Sequence, residues 1–261
     1  MKITGNTILI TGGGSGIGRG LAERFHALGN HVIIVGRRQQ ALDETTAANP
    51  GMRSMTLDID ALANIRSLAA QLATGYPALN VLINNAGILR TENLQAQPED
   101  LNDAEAMIHT NLLGPIRLTA ALLPLLRKQP YSAIMNVSSG LAFVPLAPTP
   151  TYCATKAALH SYTQSLRYQL RATTTEVIEL IPPYVATHLN VATHLMNGAS
   201  DPRAMPLDKY IAEVMDILKT QPAVTEICVE NVKRLRFAAE SGHYDAVFRG
   251  LNDAWEIPPA K

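Results

Sequence analysis

Residues 11–18 read Thr-Gly-Gly-Gly-Ser-Gly-Ile-Gly and join an apolar run, Thr7–Thr11, to the start of a helical pattern. Glycines let a backbone turn sharply and approach a pyrophosphate, whose charge is then stabilised by the amides and dipole of the following helix. The spacing of Gly12, Gly16 and Gly18 is not the G-x-G-x-x-G fingerprint, and Arg19-Gly20 replaces the Lys-Ser/Thr of a P-loop. The turn still predicts a nucleotide site, with these contacts: Gly12, Ser15, Gly16, Ile17 and Gly18.

Short β-branched runs alternate with longer helical patterns along the chain. The runs that predict buried strands are Thr7–Thr11, 31–35, 52–57, 81–84, Ser132–Val137, 176–181 and 224–229. Helical patterns occupy residues 17–28, 62–72, 104–126 and 151–171. Such alternation is typical of a parallel sheet with helices on both faces. We predict an α/β protein in which residues 1–261 form a single domain, a three-layer Rossmann fold around a doubly wound, seven-stranded parallel sheet.

The composition argues against several classes of protein. Of the 261 residues, 47% are hydrophobic and 17% are charged, which suits a compact core better than a disordered chain. Lys+Arg and Asp+Glu both number 22, and this zero net charge argues against a nucleic-acid partner. The seven histidines and two cysteines show no metal-ligand spacing, and so few cysteines fit a reducing compartment. Since no signal-peptide core or apolar run of about 20 residues occurs, we expect a cytoplasmic protein without a metal or a membrane partner.

The end of the second predicted strand bears on the choice between NAD and NADP. Folds that bind NAD tend to place a carboxylate there to hold the ribose 2′-hydroxyl, whereas an arginine suits the 2′-phosphate of NADP. This chain has Gly36-Arg37-Arg38 and no carboxylate before Asp43. Because a guanidinium binds phosphate in a bidentate manner, Arg37 favours NADP(H) over NAD(H) as the cofactor. The alternative is a solvated pair of charges at the start of a helix.

A tyrosine and a lysine follow the fifth predicted strand at helical spacing, in the segment Tyr152-Cys-Ala-Thr-Lys156. A phenol has an ordinary pKa of about 10, and a cation one helical turn away favours the phenolate and lowers that pKa. Ser139 lies thirteen residues upstream of the tyrosine and adds a hydroxyl. The three groups could jointly protonate a carbonyl oxygen, which predicts acid–base chemistry.

Three further motifs accompany these segments in unbroken order: Asn84-Asn85-Ala86-Gly87, Asn111 and Asn136-Val137-Ser138-Ser139. Over residues 5–190 the whole set resembles the short-chain dehydrogenase/reductase (SDR) family, and the segment from Tyr152 onward is most similar to its DltE-like branch. The resemblance implies an oxidoreductase that transfers a hydride between a nicotinamide cofactor and a small-molecule carbonyl or secondary alcohol. The alternative is a nucleotide-sensing protein with a regulatory role, although such members have typically lost the tyrosine or lysine that this chain keeps.

By resemblance, four residues form the catalytic set. Tyr152 would be the general acid or base, Lys156 would lower its pKa and bind the nicotinamide ribose, and Ser139 would hydrogen-bond the substrate oxygen. Asn111 would hold a helix and a water chain that relays protons to Lys156. Ser138 is the competing serine, but the thirteen-residue interval to Tyr152 favours Ser139.

The resemblance also implies cofactor contacts outside the glycine-rich turn: Asp58, Asn85, Ala86, Gly87, Tyr152, Lys156, Val185 and Thr187. Asp58 would contact adenine, or alternatively would act as a helix cap before residues 61–72. Residues 85–87 would line the adenosine ribose, and Val185 and Thr187 would meet the carboxamide. Pro183 stands where the family usually has glycine, which removes an N–H and fixes φ.

Two regions depart from the strand–helix alternation. Residues 188–206 form a long connection that is a candidate lid, with a merely mobile surface loop as the alternative. We expect a moderately apolar substrate pocket, lined by Leu141, Leu146, Tyr184, Leu195, Met196 and Met205. The C-terminal extension, residues 230–261, predicts two amphipathic helices at 232–240 and 244–255. Family members usually end in a glycine pair that helps to build tetramers, so the usual tetramer is in doubt and a homodimer or a monomer is expected.

Overall fold

The computed structural model describes residues 1–96, 100–187, 189 and 201–253. Within them, seven parallel strands form one sheet in the order β3-β2-β1-β4-β5-β6-β7. The strands are β1 (Thr7–Thr11), β2 (His31–Gly36), β3 (Arg53–Thr56), β4 (Leu79–Asn84), β5 (Ser132–Val137), β6 (Thr175–Leu180) and β7 (Glu226–Ile227). The predicted fold class is confirmed, although β7 has only two residues where the sequence predicts six.

The helices are α1 (Gly16–Ala27), α2 (Gln39–Ala48), α3 (Leu62–Gly75), α4 (Asn102–Ile108), α5 (Gly114–Leu126), α6 (Pro150–Leu170), α7 (Leu207–Thr220), α8 (Glu230–Arg236) and α9 (Tyr244–Asn252). The helix predicted over residues 104–126 is divided, because a π-helical turn at His109–Leu113 separates α4 from α5. Helices α2 and α7 are additions to the predicted elements. The buried residues of α7, at positions 210, 211, 214 and 218, follow a helical repeat.

Both faces of the sheet are covered by helices. In β1, Ile8 and Ile10 point to a core that includes Leu21 and Phe25 of α1, whereas Leu9 points to the opposite core. That second core includes buried residues of α3, α5 and α6. Because side chains alternate along a strand, burial of both faces requires a nearly continuous apolar run, and this is the pattern that made the strands recognisable.

The strand order reverses at the centre of the sheet. Strand β1 pairs with β2 on one side and with β4 on the other, so the connections that follow these strands run in opposite directions. A crevice opens at such a switch point, beyond the carboxyl ends of the strands, and ligands of open α/β sheets bind there. The glycine-rich turn follows β1 directly and therefore borders this crevice.

The C-terminal extension packs on the turn that follows β5. A Cβ added at Gly140 would lie 2.8 Å from Leu235 Cδ1 and 2.9 Å from Val232 Cγ2, so α8 rests on the bare backbone of that turn. Val247 of α9 belongs to a small core with Val144. The two predicted helices are present, with α8 ending at Arg236 and α9 at Asn252; residues 254 and 255 lie outside the described part of the chain.

None of the helices in the described residues is long and apolar enough to span a bilayer. The homodimer or monomer expected from the sequence stays a prediction.

Candidate active site

A cleft of about 730 Å3 opens beyond the carboxyl ends of the strands, and its lining includes Thr11, Gly36 and Val137, the last residues of β1, β2 and β5. It brings together these predicted site residues: Gly12, Ser15, Gly16, Ile17, Arg37, Asn85, Ala86, Gly87, Ser139, Tyr152, Lys156, Val185 and Thr187. Gly18, Asp58 and Asn111 lie outside the lining. Gly18 lies against Gly12, Asn111 is hydrogen-bonded to Ile88, and Asp58 lies between Leu57 and Ile59 in the chain; all four of these neighbours line the cleft.

The glycine-rich turn forms one end of the cleft. Gly12 and Gly16 have φ values of +68° and +53°, in the left-handed region that glycine adopts without strain. A Cβ at Gly12 would lie 2.9 Å from Asn85 Nδ2, and one at Gly18 would overlap both Gly12 O and Asn85 Nδ2. The turn is therefore a cradle of bare backbone, which is what close approach to a pyrophosphate requires.

Thr11 ties this cradle to the end of β4. Its Oγ1 accepts hydrogen bonds from the backbone N–H groups of Asn85 and Ala86, each at 2.9 Å. Asn85 Nδ2 donates in return to the Thr11 carbonyl oxygen at 2.9 Å. The sequence indicates Thr11 only as the first residue of the turn, because its hydrogen bonds depend on the pairing of β1 with β4.

Two arginines follow β2 and line the cleft. Arg37 Nη1 lies 4.0 Å from Asp60 Oδ2, and its side chain is 54% exposed. Arg38 Nη2 donates a hydrogen bond to Ser15 Oγ in the glycine-rich turn at 3.0 Å. The sequence singles out Arg37, whereas the geometry places Arg38 closer to the turn. Both cations are available to a phosphate in this part of the cleft.

Tyr152 and Ser139 meet in the cleft. Tyr152 is buried near the start of α6. Burial raises the pKa of Tyr152 above its ordinary value, and a hydrogen bond with the Ser139 side chain acts in the opposite direction. Ser139 Oγ also accepts a hydrogen bond from the Leu141 N–H at 3.1 Å, which fixes the serine side chain. The net direction is opposite to the one that the Tyr-Lys spacing predicts.

Lys156 lies one turn further along α6. Its Nζ is 5.7 Å from the centre of the Tyr152 ring and donates a hydrogen bond to the Val137 carbonyl oxygen at 2.8 Å. Burial lowers the pKa of Lys156 to about 8, while the charge of Glu179 acts to raise it. The predicted proximity to Tyr152 is present, but burial of both side chains acts against their charged forms, and so raises the pKa of the phenol and lowers that of the ammonium.

Asn111 lies in the π-helical turn and joins two walls of the site. Its Oδ1 accepts from the Ile88 N–H at 2.8 Å, and its Nδ2 donates to the Ile88 carbonyl oxygen at 2.8 Å and to Thr155 Oγ1 at 3.2 Å. A Cβ at Gly87 would lie 3.3 Å from Asn111 Oδ1 and 3.6 Å from Lys156 Nζ. Glycine at position 87 therefore leaves room between the asparagine and the lysine.

Comparison with known proteins agrees with this geometry. The family model described as "short chain dehydrogenase" matches residues 6–197. The chain belongs to the short-chain dehydrogenase family. An uncharacterised oxidoreductase from Bacillus subtilis, DltE, is 42% identical to it, with 97% of this chain and 98% of that protein covered. The NADP-dependent 3-hydroxy acid dehydrogenase YdfG of Shigella flexneri is 32% identical over 68% of this chain and 72% of its own length.

Solved structures of short-chain dehydrogenases share this fold. One from Sphingobium yanoikuyae, in complex with NADPH, has a TM-score of 0.78 at 25% identity and covers 95% of this chain and 97% of its own. One from Burkholderia phymatum, in complex with NAD, has a TM-score of 0.80 at 20% identity and covers 94% and 96%, respectively. The family recognised from the sequence motifs is thus confirmed.

Asp58 lies beside the cleft, and its predicted contact with adenine stays a prediction. The neighbouring Leu57 and Ile59 line the cleft. The Asp58 side chain accepts a hydrogen bond from the Asp60 N–H at 3.2 Å. The helix-cap alternative is wrong, because Ala61 is the N-cap of α3 and the helix has no side-chain cap. Asp58 instead closes a local turn that leads into the helix.

The predicted lid is described only at its second end. Leu195 and Met196, with most of residues 188–206, lie outside the described residues. Residues 201–206 pair with the segment that follows β6: the Met205 N–H donates to the Tyr184 carbonyl oxygen at 2.8 Å. Hydrogen bonds from Arg203 lower the pKa of the buried Asp201 to about 2. This end of the lid segment is therefore held against the wall that contains Val185.

Behind the turn that carries Ser138 and Ser139, this short-chain dehydrogenase has a buried carboxylate that the sequence did not single out. Glu179 of β6 accepts hydrogen bonds from Ser138 Oγ at 2.5 Å and contacts His160 Nδ1 at 2.8 Å. Ser138 is therefore engaged away from Tyr152, whereas Ser139 faces it. The sequence contains no signal for this pairing, because residues 138, 160 and 179 meet only when α6 packs on the sheet.

Glu179 also belongs to a cluster whose ligand atoms resemble a metal site. It pairs in register with Glu226 of β7, and with His160 the three ligand atoms lie within 4.8 Å of one another. Arg236 Nε donates to Glu226 at 2.7 Å, and Ser138 and His160 engage both oxygens of Glu179. Because these partners already engage the carboxylate oxygens, we assign the cluster a structural role.

We expect the substitution Glu179→Gln to lower the pKa of Lys156 below its value of about 8, because it removes the negative charge that opposes desolvation. The ammonium would then lose its proton at a lower pH than in the unmodified protein. A 13C NMR titration of the lysine Cε signals measures this shift. Glu176→Gln, at a half-exposed position of the same strand, is the matched control and should leave the Lys156 titration in place. A Lys156 pKa that stays constant or rises in Glu179→Gln contradicts the prediction.

Proposed function

We propose that this protein is an NADP-dependent oxidoreductase that interconverts a carbonyl group and a secondary alcohol, with the whole chain acting as one cofactor-binding domain. The observation that carries the proposal is the meeting of Tyr152, Ser139 and Lys156 in one cleft with a bare-backbone cradle at its other end. An acid–base pair alone would fit many reactions, and a nucleotide cradle alone would fit many ligands. Their union in a single crevice fits hydride transfer coupled to proton transfer.

The residues present fit a nicotinamide dinucleotide. Side chains at Gly12 and Gly18 would collide with Asn85, so glycine at both positions lets the turn close against the end of β4 with its backbone open to the cleft. The residues that would hold the cofactor are Gly12, Ser15, Gly16, Ile17, Gly18, Arg37, Arg38, Asn85, Ala86, Gly87, Lys156, Val185 and Thr187. When bound, the nicotinamide supplies or accepts the hydride.

The side chains of the protein would transfer the proton and stabilise the charge that develops on the substrate oxygen. We assign Tyr152 the transfer of a proton to the carbonyl oxygen during reduction, and its removal from the alcohol during oxidation. Ser139, already hydrogen-bonded to Tyr152, would donate to the same substrate oxygen and stabilise the charge that develops on it. Lys156 would favour the phenolate after the proton has left. Asn111 would act through position, since it joins the strand-β4 loop to α6 beside Lys156.

The direct test is NADPH oxidation with a panel of aldehydes and ketones, and NADP+ reduction with the corresponding alcohols, followed by the absorbance of the reduced nicotinamide. We expect turnover with at least one matched pair in both directions. A protein that binds NADPH but turns over none of the panel would count against the proposal and favour a nucleotide sensor.

The preference for NADP rests on Arg37 and Arg38, together with the absence of Asp and Glu from the described lining of the cleft. Among the proteins named above, one is NADP-dependent and one is bound to NADPH, whereas one is bound to NAD, so the choice depends on the arginines. A charge-assisted hydrogen bond contributes about 1.5–3 kcal/mol. We therefore expect Arg37→Ala and Arg38→Ala each to weaken NADPH binding about tenfold or more, and to change NADH binding little.

Fluorescence titration of the purified variants with NADPH and NADH measures this selectivity. Arg66→Ala, which removes an exposed arginine of α3 that does not line the cleft, is the matched control. If both arginine variants lose affinity for NADPH and NADH by the same factor, the arginines do not read the 2′-phosphate and the assignment to NADP is wrong.

A further inference from the structure

The C-terminal extension forms the wall of the cleft beyond the catalytic serine. The residues that it contributes to the lining are Asn231, Arg234, Leu235, Val247, Gly250 and Leu251. Leu235 lies against Gly140, the residue that follows Ser139, so α8 is fixed directly beside the reacting groups. The extension is therefore part of the substrate end of the cleft as well as a packing element.

Arginines predominate among the charged groups at this end. Arg90, Arg203 and Arg234 line it, and the described lining includes no carboxylate. Arg90 Nε lies 3.5 Å from Asp103, and Arg203 makes two hydrogen bonds to Asp201. These two guanidinium groups already have carboxylate partners.

Arg234 differs from both, since it makes no hydrogen bond or ion pair with any residue in the described part of the chain. Its Nη2 would lie 3.4 Å from a Cβ added at Gly250 of α9, so the guanidinium extends over bare helix backbone. Its neighbour Lys233, by contrast, is paired with Glu230 on the outer side of α8. A cation without a partner in a concave cleft attracts an anion from solution.

The surroundings of Tyr152 are apolar. Leu146 and Cys153 form a small core with it, and Leu141, Tyr184 and Leu251 pack against that core. A ligand that reaches from Tyr152 to Arg234 therefore crosses an apolar surface and ends at a charge. An apolar surface between Tyr152 and Arg234 matches a ligand with a carbonyl at one end, a hydrocarbon spacer and an anionic group at the other end.

We propose that the substrate is an oxo acid or the corresponding hydroxy acid, whose carboxylate is bound by Arg234. The inference rests on the proposed oxidoreductase function and names its substrate class. A guanidinium matches a carboxylate in charge and in bidentate geometry. A phosphate ester, with a second negative charge, would call for a second unpartnered cation, and the described residues at this end of the cleft provide none beside Arg234.

The test compares acids with their neutral counterparts. Acetoacetate, levulinate and 5-oxohexanoate place the carboxylate at increasing distance from the ketone, and their methyl esters remove the charge while they keep the ketone. For the best acid we expect a kcat/KM at least tenfold above that of its ester. Arg234→Ala should lower kcat/KM for the acid at least tenfold, mainly through KM, and change that for the ester less than twofold. Arg234→Lys should fall between, because it keeps the charge and loses the bidentate geometry.

Lys233→Ala is the matched control, since it removes a positive charge from the same helix outside the cleft lining and should leave both substrates unaffected. Equal turnover of acid and ester, or an equal loss for both in Arg234→Ala, overturns the inference while the oxidoreductase function stands. Selective reduction of dihydroxyacetone phosphate that depends on Arg234 would also overturn it, in favour of a phosphate ester.

A binding measurement separates failure of the inference from failure of the chemistry. In thermal unfolding of the protein with NADP+ present, the acids should raise the Tm of the unmodified protein and have no effect on Arg234→Ala. If this selective stabilisation occurs without turnover, the result supports carboxylate binding by Arg234 and contradicts the proposed reaction. If the acids neither bind nor react while neutral ketones are reduced, the inference falls alone. If no ketone binds or reacts, both fall.

Discussion

Replacing Tyr152 by phenylalanine is expected to lower kcat by about 10²–10⁴-fold, the range associated with loss of a positioned general acid. The change removes the phenolic oxygen that is hydrogen-bonded to Ser139 and keeps the ring that packs against Leu146. Cofactor affinity should change little, because the cradle around Gly12 is formed by other residues. Steady-state turnover and an NADPH titration of the same preparation measure the two quantities separately.

Tyr168→Phe supplies the control for that variant. Tyr168 lies on the same helix, is 67% exposed and stacks against the Arg171 guanidinium, so its hydroxyl is remote from the cleft. We expect it to keep full activity. Full turnover in Tyr152→Phe would remove the phenol from the mechanism, whatever the behaviour of the control.

Replacing Gly18 by alanine is expected to disrupt both the fold at the switch point and the cofactor site. The added Cβ would overlap the Gly12 carbonyl oxygen and Asn85 Nδ2, so the turn after β1 must move away from the end of β4. Overpacking of this kind costs about 1–3 kcal/mol of folding free energy. If NADPH binding requires the cradle to return to its original position, the same free energy is lost from binding. That loss corresponds to a decrease of about 5- to 150-fold in NADPH affinity.

Denaturant unfolding gives the stability of Gly18→Ala, and fluorescence titration gives its NADPH affinity. Gly75→Ala is the matched control, because it makes the same chemical change at the end of α3, where an added Cβ meets nothing within 4 Å. It should be neutral or slightly stabilising. A Gly18→Ala protein with unmodified stability and affinity would show that the tight contact among positions 12, 18 and 85 is not needed.

The sequence predicted the sheet well because burial on both faces leaves a clear pattern. In β5, all six residues are buried, and the run Ser132–Val137 was recognised with its correct bounds. The turn after β1 was equally clear, because side chains at Gly12 and Gly18 would collide with neighbouring atoms and glycine is therefore needed at both positions. Spacing alone placed Tyr152 and Lys156 on one helix, as the structure has them.

Features that depend on contacts between distant segments were beyond the sequence. Hydrophobic spacing over residues 104–126 is compatible with one long helix and contains no mark of the π-helical turn that carries Asn111. The buried pairing of Glu179 with Ser138 exists only across β5 and β6. The direction of the Tyr152 pKa was mispredicted because the proximity of Lys156 could be read from the spacing, whereas the extent of burial could not.

The contact of α8 with Gly140 marks where two segments that are distant in the chain meet at the cleft. The cofactor cradle is built from the first strands and their turns, whereas much of the wall beyond Ser139 comes from residues after 230. Substitutions in α8 and α9 can therefore reshape the substrate wall without touching the glycine-rich turn. In protein engineering, the start of α8 is a suitable junction for chimeras that exchange substrate specificity between relatives.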